Sequence, residues 1–304
     1  MHKTIRIGTR DSKLALWQAN TVQKRLEDLG YKTEIVAVKS TGDLILDKPL
    51  YELGITGIFT KTLDVAMLNG TVDIAVHSMK DVPTLLPKGI IQTAVLERAN
   101  VNDILVHKGL DFLNAEGTIA TGSLRRKAQW LNRYPNHKVE DLRGNVITRL
   151  QKLEDNSWNA AVFAKAGLER INVLPKHYTE LDWMVPAPAQ GAMVVVTLEK
   201  DKDITEAVSK LNDTPTDICT HVEREFLRIL EAGCTAPIGG IATITNDTIA
   251  FTGILLALDG SKKLSVTKTE MLSNYKGFGK RCALEIIENG GKELMDSIKK
   301  EMNS

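Results

Sequence analysis

Short apolar runs alternate with helix-length amphipathic stretches through the first third of the chain. Residues 4–9, 33–40 and 73–77 are rich in β-branched side chains and predict strands, whereas residues 14–29 and 60–68 carry apolar side chains at helical spacing. Each predicted helix ends at or just before a glycine, which is a common helix stop signal. Strands joined in turn by helices are typical of a parallel or mixed sheet covered by helices. The pattern therefore predicts an α/β lobe.

The same alternation starts again after residue 89. Apolar runs at 90–96 and 104–106 lead into predicted strands at 118–121, 139–142 and 160–164 and predicted helices at 124–133 and 146–153. The sequence Val185-Pro186-Ala187-Pro188 interrupts this pattern, because paired prolines fit neither a helix interior nor a central strand. A further strand is predicted at 193–198. We interpret the second series as a similar lobe, from which the chain crosses back to the first.

The pattern changes once more from Pro215. A predicted helix through Glu231 is followed by apolar runs at 240–245, 249–258 and 264–271 and by a helical pair split at Gly290-Gly291. Turn sequences Asn246-Asp247 and Asp259-Gly260 join the runs as antiparallel strands of a small α+β domain. A chain of 304 residues is long enough for two or three domains. The predicted division is lobe 1 at residues 1–97 and 192–212, lobe 2 at residues 98–191, and a C-terminal domain at residues 213–304.

Charge and hydropathy exclude several classes of protein. The 39 basic and 38 acidic side chains nearly cancel, whereas a nucleic-acid-binding chain would be net basic with interleaved aromatic residues. No run of about 18 apolar residues is present, so no membrane-spanning helix is expected. The most apolar window, residues 238–258, is broken by Asn246-Asp247 and favours a hairpin. Residues 1–10 lack an apolar signal-peptide core, so we expect a cytoplasmic protein with no membrane or nucleic-acid partner.

The three cysteines differ in their sequence surroundings. Cys219 and Cys282 lie in helical patterns and are expected to be small buried side chains, whereas Cys234 lies between Gly233 and Pro237 in a predicted loop. The sequence has no CxxC pair and no His at metal spacing, which argues against a metal site and a disulfide framework. No Lys or His stands beside Cys234 to activate it as a protease-type nucleophile, which leaves a role as an attachment point open.

Basic and hydroxyl side chains recur where the predicted strands run into helices. Strand ends and helix N-termini face the same crevice in α/β lobes, and ligands bind there. A single arginine is usually a solvated surface cation, but several junctions here each place Arg or Lys beside Ser, Thr or Gly. Guanidinium groups bind carboxylates or phosphates through paired hydrogen bonds. The sequence therefore predicts a crevice for a ligand with many anionic groups. Its candidate residues are Arg10, Ser12, Ser78, Lys80, Asp81, Thr121, Ser123, Arg125, Arg126, Arg143, Arg149 and Arg170.

Asp81 is the acidic member of this otherwise basic set. Two interpretations are open from the residues alone: a structural carboxylate paired with Lys80, or a carboxylate that stabilises a cationic intermediate or transfers protons. The basic crevice as a whole is compatible with catalysis and with simple anion binding, since a fold alone does not set a function. Only catalysis gives Asp81 and the loop thiol of Cys234 a purpose.

Longer sequence stretches carry a resemblance to a known family. They are residues 7–19 (IGTRDSKLALWQA), 57–61 (GIFTK), 73–83 (DIAVHSMKDVP), 122–126 (GSLRR), 142–146 (LRGNV), 148–150 (TRL), 166–168 (AGL) with Arg170, and 230–239 (LEAGCTAPIG). Through these motifs, which extend over nearly its whole length, the chain resembles the porphobilinogen deaminase family.

The resemblance implies both a reaction and a fold. Enzymes of this family join four porphobilinogen molecules head to tail with loss of ammonia, and the product is the linear tetrapyrrole hydroxymethylbilane. In the family a dipyrromethane cofactor is bound by a thioether to a loop cysteine, which here is Cys234. The implied fold is a pair of α/β lobes like those of periplasmic binding proteins, followed by a small α+β domain that carries the cysteine. A monomer without a metal ion is the family expectation.

The resemblance also implies roles for individual residues. Asp81 would contact the pyrrole N–H groups, stabilise the azafulvenium cation left when substrate loses ammonia, and help to move protons. The carboxylates of substrate and cofactor would be bound by Arg10, Lys61, Lys80, Arg125, Arg126, Arg143, Arg149 and Arg170. Hydrogen-bonding residues of the lining would be Ser12, Gln18, Ser78, Thr121, Ser123 and Gln190, with Phe59 packed against the cofactor.

Two positions depart from the family pattern. The family pattern that ends in the phenylalanine is Gly-Gly-Lys-Gly-Leu-Phe, whereas residues 54–59 here are GITGIF, so Thr56 replaces a lysine. The family also writes Pro-Ala-Pro-Gly-Gln-Gly-Ala, whereas residues 186–192 read PAPAQGA, so a glycine is replaced by Ala189. If that glycine has a positive φ, we expect Ala189 to impose a slightly different turn.

Overall fold

Three β-sheets organise the part of the chain that the computed structural model describes, which is residues 4–38, 60–231 and 236–302. The strands are β1 (Ile5–Arg10), β2 (Thr33–Val38), β3 (Ile74–Ser78), β4 (Ile90–Val95), β5 (Asp103–His107), β6 (Thr118–Ala120), β7 (Lys138–Glu140), β8 (Ala160–Ala164), β9 (Tyr178–Glu180), β10 (Met193–Leu198), β11 (Ile238–Thr245), β12 (Thr248–Leu256) and β13 (Lys263–Met271).

Helices cover these sheets. They are α1 (Lys13–Asp28), α2 (Lys61–Leu68), α3 (Leu124–Arg133), α4 (Val146–Asp155), α5 (Lys165–Glu169), α6 (Lys202–Ser209), α7 (Thr214–Glu231), α8 (Phe278–Ile286) and α9 (Lys292–Met302). A single 3-10 turn at Met79–Asp81 follows β3 directly.

The first two sheets share one topology. Their strand orders are β2-β1-β3-β10-β4 and β7-β6-β8-β5-β9. In each sheet the first three strands are parallel, and the fourth strand in the order is antiparallel to both of its neighbours. The prediction of two similar α/β lobes is confirmed. The chain passes from lobe 1 to lobe 2 between β4 and β5, which we call the first crossing, and returns between β9 and β10, the second crossing.

Apolar side chains bury both faces of the lobe 1 sheet. On one face Ile5 and Ile7 of β1 pack with Ala19, Val22 and Leu26 of α1, which recur at helical spacing. The other face packs against α2. All six residues of β10 are buried, as is typical of a mainly apolar run such as MVVVTL in a strand covered on both sides. Burial of each large aliphatic side chain contributes about 1.5–3 kcal/mol to the free energy of folding. The core of lobe 1 therefore holds the strands of this lobe in place.

The third sheet, β11-β12-β13, is antiparallel and packs against α7 and α8. Its core contains Phe226, Phe251 and Phe278, with ring centroids 5.0 Å and 6.3 Å apart. Asn246, with φ of 51°, lies in the turn of the predicted hairpin. The small α+β domain is therefore confirmed, while the exact boundaries of the three segments stay predictions.

Cys219 and Cys282 are buried in this C-terminal domain, as predicted. Burial raises the pKa of each thiol to about 11, so both are neutral and unreactive near pH 7. Three short elements were not predicted: α5, α6 and β9. Within the residues described here, none of the helices combines the length and apolar character of a membrane-spanning segment.

Candidate active site

A pocket opens at the ends of β1 and β3 in lobe 1. Its lining comprises Arg10, Ser12, Leu14, Ala15, Gln18, Val76, His77, Ser78 and Asp81. The two strands are parallel, so their C-terminal ends and the N-terminus of α1 meet at one edge of the sheet. Arg10, Ser12, Gln18, Ser78 and Asp81 were all predicted from the sequence, and the fold brings these five together.

Hydrogen bonds to the second crossing and to α7 hold the turn that carries Lys80 and Asp81 in place. Met79 is buried, and its N–H donates to the Ala192 carbonyl at 3.0 Å, which fixes the turn against the second crossing. Arg224 of α7 donates to three carbonyl groups of the same turn, those of Met79, Val82 and Pro83, at 3.3, 2.9 and 2.6 Å. Because Met79 takes the buried position, the Asp81 side chain is left exposed at the pocket.

Three strand-to-helix junctions use the same local structure. Ser12, Ser123 and Asn145 are the N-cap residues of α1, α3 and α4. Their side-chain oxygens accept hydrogen bonds from the N–H groups of Ala15, Arg126 and Thr148, at 3.3, 3.4 and 3.0 Å. A capping serine uses its oxygen as an acceptor and keeps its O–H proton for a second partner. The hydroxyl groups of Ser12 and Ser123 can therefore cap a helix and also donate a hydrogen bond to a ligand.

Arg125 and Arg126 are both buried and both paired with Asp103 at the start of β5. Arg125 Nη2 donates to Asp103 Oδ2 at 2.7 Å, and its Nη1 donates to the Val185 carbonyl at 2.7 Å. Arg126 donates through Nε and Nη2 to Asp103 Oδ1 at 3.0 and 2.7 Å. Sequence reasoning named the two arginines as ligand-binding groups but missed Asp103, because no local motif links it to them.

Lys80 extends this cluster from lobe 1. Its Nζ donates to Gln190 Oε1 at 3.4 Å, and Gln190 Nε2 donates to Asp103 Oδ1 at 2.9 Å. Burial, together with the positive charge of Arg126, lowers the pKa of Lys80 to about 8. Gln190, a predicted lining residue, is thus the link between Lys80 and the buried arginine pair.

Arg149 lies in the field of charges from both lobes. Its Nε donates to the Gly144 carbonyl at 2.7 Å. Burial and the neighbouring charges of Arg126, Arg143 and Arg10 together lower the pKa of Arg149 to about 10, whereas Asp81 acts in the opposite direction. The structure thus brings predicted residues of lobe 2 near Asp81 of lobe 1. Since like charges repel, this group is suited to an anionic ligand.

Arg170 makes contacts of a different kind. Its Nη2 donates to the Gly191 carbonyl at 2.7 Å, and its guanidinium carbon lies 5.5 Å from the ring centroid of Trp17. Gly191 belongs to the second crossing and Trp17 to α1, so these contacts join lobe 2 to lobe 1. Burial lowers the pKa of Arg170 to about 10, and the group stays charged. A role in ligand binding stays a prediction for this residue.

His77 is a pocket residue that the sequence reasoning did not select. It is buried, and its Nε2 atom has no hydrogen-bond partner among the described residues. Burial and the nearby charge of Arg10 lower its pKa to about 4, so the imidazole is neutral near pH 7. The sequence signal was its place in the HSMKD stretch, immediately before Ser78.

The remaining candidates are distributed as follows. Thr121 is buried, and its Oγ1 accepts from the Ser123 N–H at 3.3 Å. Lys61 is exposed at the first position of α2. Arg143 is buried at the end of the turn before α4. Phe59 and Cys234, together with Thr56, lie outside the described residues.

Ala189 keeps a left-handed backbone conformation. Its φ is 62°, and its side chain is buried in the core of lobe 1. Its N–H donates to Glu223 Oε2 at 2.6 Å. The alanine therefore adopts the positive φ that usually favours glycine, instead of avoiding it through a different turn.

The described elements on either side of Cys234 are α7, which ends at Glu231, and β11, which begins at Ile238. In β11 the Gly240 N–H donates to the Pro186 carbonyl at 3.0 Å, one residue from the Val185 carbonyl that Arg125 binds. The first residues of β11 are thus bonded to the second crossing close to Arg125.

Comparison with known proteins assigns this chain to a family. The model "Porphobilinogen deaminase, dipyromethane cofactor binding domain" matches residues 5–206, and "Porphobilinogen deaminase, C-terminal domain" matches residues 218–288. The chain belongs to the porphobilinogen deaminase family. Membership of this family makes it an enzyme of tetrapyrrole synthesis with a dipyrromethane cofactor binding domain.

Individual relatives match over nearly the full length. The porphobilinogen deaminase of Nitratiruptor sp. is 41% identical over 297 residues, which cover 95% of each chain. That of Cytophaga hutchinsonii is 39% identical over 312 residues, covering 100% of this chain and 99% of the relative. Among solved structures, the probable amino-acid ABC transporter extracellular-binding protein ytmK of Bacillus subtilis is 12% identical with a TM-score of 0.43, over 69% of this chain and 90% of that one.

The charges of the described residues near the site fit a dipyrromethane that carries carboxylates. Residues 4–38, 60–231 and 236–302 contain no group of His, Cys, Asp and Glu side chains that could hold a metal. In the cluster around Asp103, cations outnumber carboxylates: Lys80, Arg125 and Arg126 lie near Asp103, and Asp81 is a further carboxylate near Lys80. A porphobilinogen deaminase cofactor carrying several carboxylates would balance this surplus of positive charge.

Proposed function

We propose that the chain is a transferase that joins four porphobilinogen molecules head to tail, with loss of one ammonia for each, to give hydroxymethylbilane. The observation that carries this proposal is the position of Asp81. It is an exposed carboxylate at the pocket rim, within the field of Arg149 from the other lobe. An anion-binding protein would gain nothing from a carboxylate placed there, whereas an enzyme with a cationic intermediate would.

The arginines and lysines would bind and orient the acetate and propionate groups of the rings. Arg10 and Arg149 lie close enough for their charges to affect each other, although they belong to different lobes. A ligand bound between them would therefore be held from both sides. The charge-assisted hydrogen bonds of such pairs contribute about 1.5–3 kcal/mol each, which is enough to fix a ring in a reactive orientation.

Asp81 would act on charge and protons at the reacting rings. The amino group leaves in its protonated form: when the carbon–nitrogen bond of the aminomethyl group breaks, ammonia departs with the bonding electron pair and the ring becomes a cation, which the Asp81 carboxylate would stabilise. The new carbon–carbon bond then displaces a proton from the attacked ring carbon, and Asp81 would accept it. That proton balances the one that leaves with ammonia, so no outside acid or base is consumed.

The cofactor would supply a primer, a dipyrromethane already in place to which the first substrate ring is joined. We propose that Cys234 holds it through a thioether. Support comes from the family assignment and from β11, whose first residues are bonded to the crossing segment that also binds Arg125. The buried Cys219 and Cys282 are poor candidates, because burial raises the pKa of both thiols.

The intact mass of the purified protein tests the covalent cofactor. From a host that makes porphobilinogen, we expect a mass excess equal to two pyrrole units, carried by the wild type and by Cys219→Ser and Cys282→Ser. The excess should be absent only from Cys234→Ser. An unmodified wild-type mass, or an excess that persists in Cys234→Ser, contradicts the proposal.

Substitution of Asp81 tests the catalytic assignment. Asp81→Asn keeps the shape but removes the charge, and should lower kcat by about 10²–10⁴-fold while leaving the melting temperature unchanged. Asp11→Asn is a matched control, because Asp11 is an exposed carboxylate at the neighbouring strand end. Near-normal hydroxymethylbilane formation by Asp81→Asn would remove Asp81 from its role.

A further inference from the structure

The Asp103 carboxylate accepts four side-chain hydrogen bonds near the candidate site. It is fully buried, at the first position of β5, directly after the first crossing. Oδ1 accepts from Arg126 Nε, from Arg126 Nη2 and from Gln190 Nε2 at 3.0, 2.7 and 2.9 Å. Oδ2 accepts from Arg125 Nη2 at 2.7 Å. One carboxylate thus binds both arginines and a residue of the second crossing.

These contacts fix the direction of each guanidinium group. Arg126 is held on its other side by the Val162 carbonyl, to which Nη1 donates at 3.1 Å, and Arg125 is held likewise by the Val185 carbonyl. A planar group bonded at two separate points cannot rotate freely. Three of the five N–H groups of Arg126 are used in this way, so the remaining two have a set orientation.

The charge of Asp103 also allows three cations to lie close together. Burial favours a neutral carboxyl group, but the combined fields of Arg125 and Arg126, with that of Lys80, hold the pKa of Asp103 far below its usual range. Asp103 is therefore ionised at any pH at which the protein works. In return its charge offsets part of the repulsion that Arg126 and Arg125 exert on Lys80.

We infer that Asp103 is a positioning residue of this enzyme: it sets the orientation of Arg125 and Arg126 and couples them through Gln190 to Lys80, so that the cluster is preorganised for the carboxylates of a pyrrole ring. The inference rests on the proposed function, in which these cations bind such carboxylates. It adds that their arrangement depends on a buried group that touches neither substrate nor cofactor. Preorganised cations bind more tightly because less conformational entropy is lost on binding.

Asp103→Asn tests this inference, with Asp73→Asn as the matched control. Asp73 is another buried aspartate of a strand end, bonded to Arg6 Nε and Nη2 at 2.9 and 2.8 Å, but at the opposite end of β3 from Asp81. Both substitutions leave a guanidinium without its carboxylate, so both should lower the melting temperature. Only Asp103→Asn should also reduce the fraction of protein with the two-pyrrole mass, about tenfold, and raise KM about tenfold with little change in kcat per loaded enzyme.

The outcomes separate the two proposals. If the wild type lacks the added mass, the proposed function fails. If the wild type and Asp73→Asn carry it, and Asp103→Asn is equally loaded with an unchanged KM, the positioning role fails while the function stands. Asp103→Glu keeps the charge but displaces the carboxylate by one methylene group, and should load at an intermediate level. If Asp103→Asn does not fold, wild-type loading and KM in Asp103→Glu overturn the inference.

Discussion

Lys80 differs from the arginines around it in how its charge depends on pH. Burial and the neighbouring Arg126 and Arg125 lower its pKa to about 8, while Asp81 and Asp103 act in the opposite direction. Arg149 keeps a pKa of about 10 and remains charged through neutral pH. Within this group of cations, Lys80 therefore loses its proton first as the pH rises.

This property predicts a pH dependence of substrate binding. The protonated lysine attracts carboxylates, so binding of porphobilinogen should raise the pKa of Lys80, and affinity should fall as the pH rises through about 8. We expect KM to increase up to tenfold per pH unit above that value, with kcat less affected. Lys80→Arg keeps the positive charge and should abolish the increase. The check is the pH profile of KM for both proteins, and an identical rise in both would exclude Lys80 as its cause.

Single residues also show what the sequence can and cannot predict. Asp81 and Lys80 stand next to each other at a strand end, so their position at the candidate site followed from the pattern of strands and helices. Asp103 and Arg126 are 23 residues apart, and their pairing depends on how β5 lies beside the start of α3. His77 lies in a buried strand, and the strand pattern does not distinguish a histidine there as a pocket residue from one in the core.

At the scale of elements, the site depends on how helices begin. Ser12 caps α1 through a hydrogen bond from the Ala15 N–H, and it also lies in the pocket near Arg10. Its two functions can be separated by substitution, because Asp also caps helices well but brings a negative charge.

Ser12→Ala removes the cap and should lower the free energy of unfolding by about 1 kcal/mol, with a small effect on KM. Ser12→Asp should keep the stability within about 0.5 kcal/mol but raise KM severalfold, since its carboxylate would compete with substrate for Arg10. Urea unfolding and steady-state kinetics measure the two effects. A larger rise in KM for Ser12→Ala than for Ser12→Asp would show that the hydroxyl group, and not the local charge, controls binding.

Elements with a clear local signal were predicted well. Strands β8 and β10 match their predicted ranges because they are short, mainly apolar runs, and helix α3 matches because its apolar residues recur at helical spacing. Strand β9 was missed since its three residues are mostly exposed and show no alternation. Helix α6 has only eight residues between charged segments, and its apolar side chains can be recognised as a buried face only from their packing against lobe 1. The antiparallel direction of β5 and β10 follows from the crossings and is not visible in the strand sequences.

For the whole molecule, α7 connects the C-terminal domain to both crossings. Glu223 of α7 is fully buried, and its Oε1 accepts from Arg98 Nη1 at 2.6 Å and from the Ala242 N–H at 2.8 Å. Its Oε2 accepts from Arg98 Nη2 at 2.9 Å and from the Ala189 N–H at 2.6 Å. Arg98 belongs to the first crossing, Ala189 to the second and Ala242 to the C-terminal sheet. One carboxylate therefore joins the domain that carries Cys234 to the segments between the lobes.

This arrangement predicts that the pairing of Glu223 with Arg98 is the main contact that makes the C-terminal domain unfold together with the lobes. Glu223→Gln leaves the Arg98 charge buried without its partner, and should lower the free energy of unfolding by about 3–5 kcal/mol.

All four tryptophans, at positions 17, 130, 158 and 183, lie in the two lobes. Tryptophan fluorescence thus follows the lobes, whereas far-UV circular dichroism follows the whole chain. In urea the two signals should change together for the wild type, and the dichroism should change first for Glu223→Gln. Glu285→Gln, which breaks the exposed pair with Lys268 in the same domain, should leave both curves unchanged. Coincident transitions in Glu223→Gln would mean that other contacts suffice to hold the domain to the lobes.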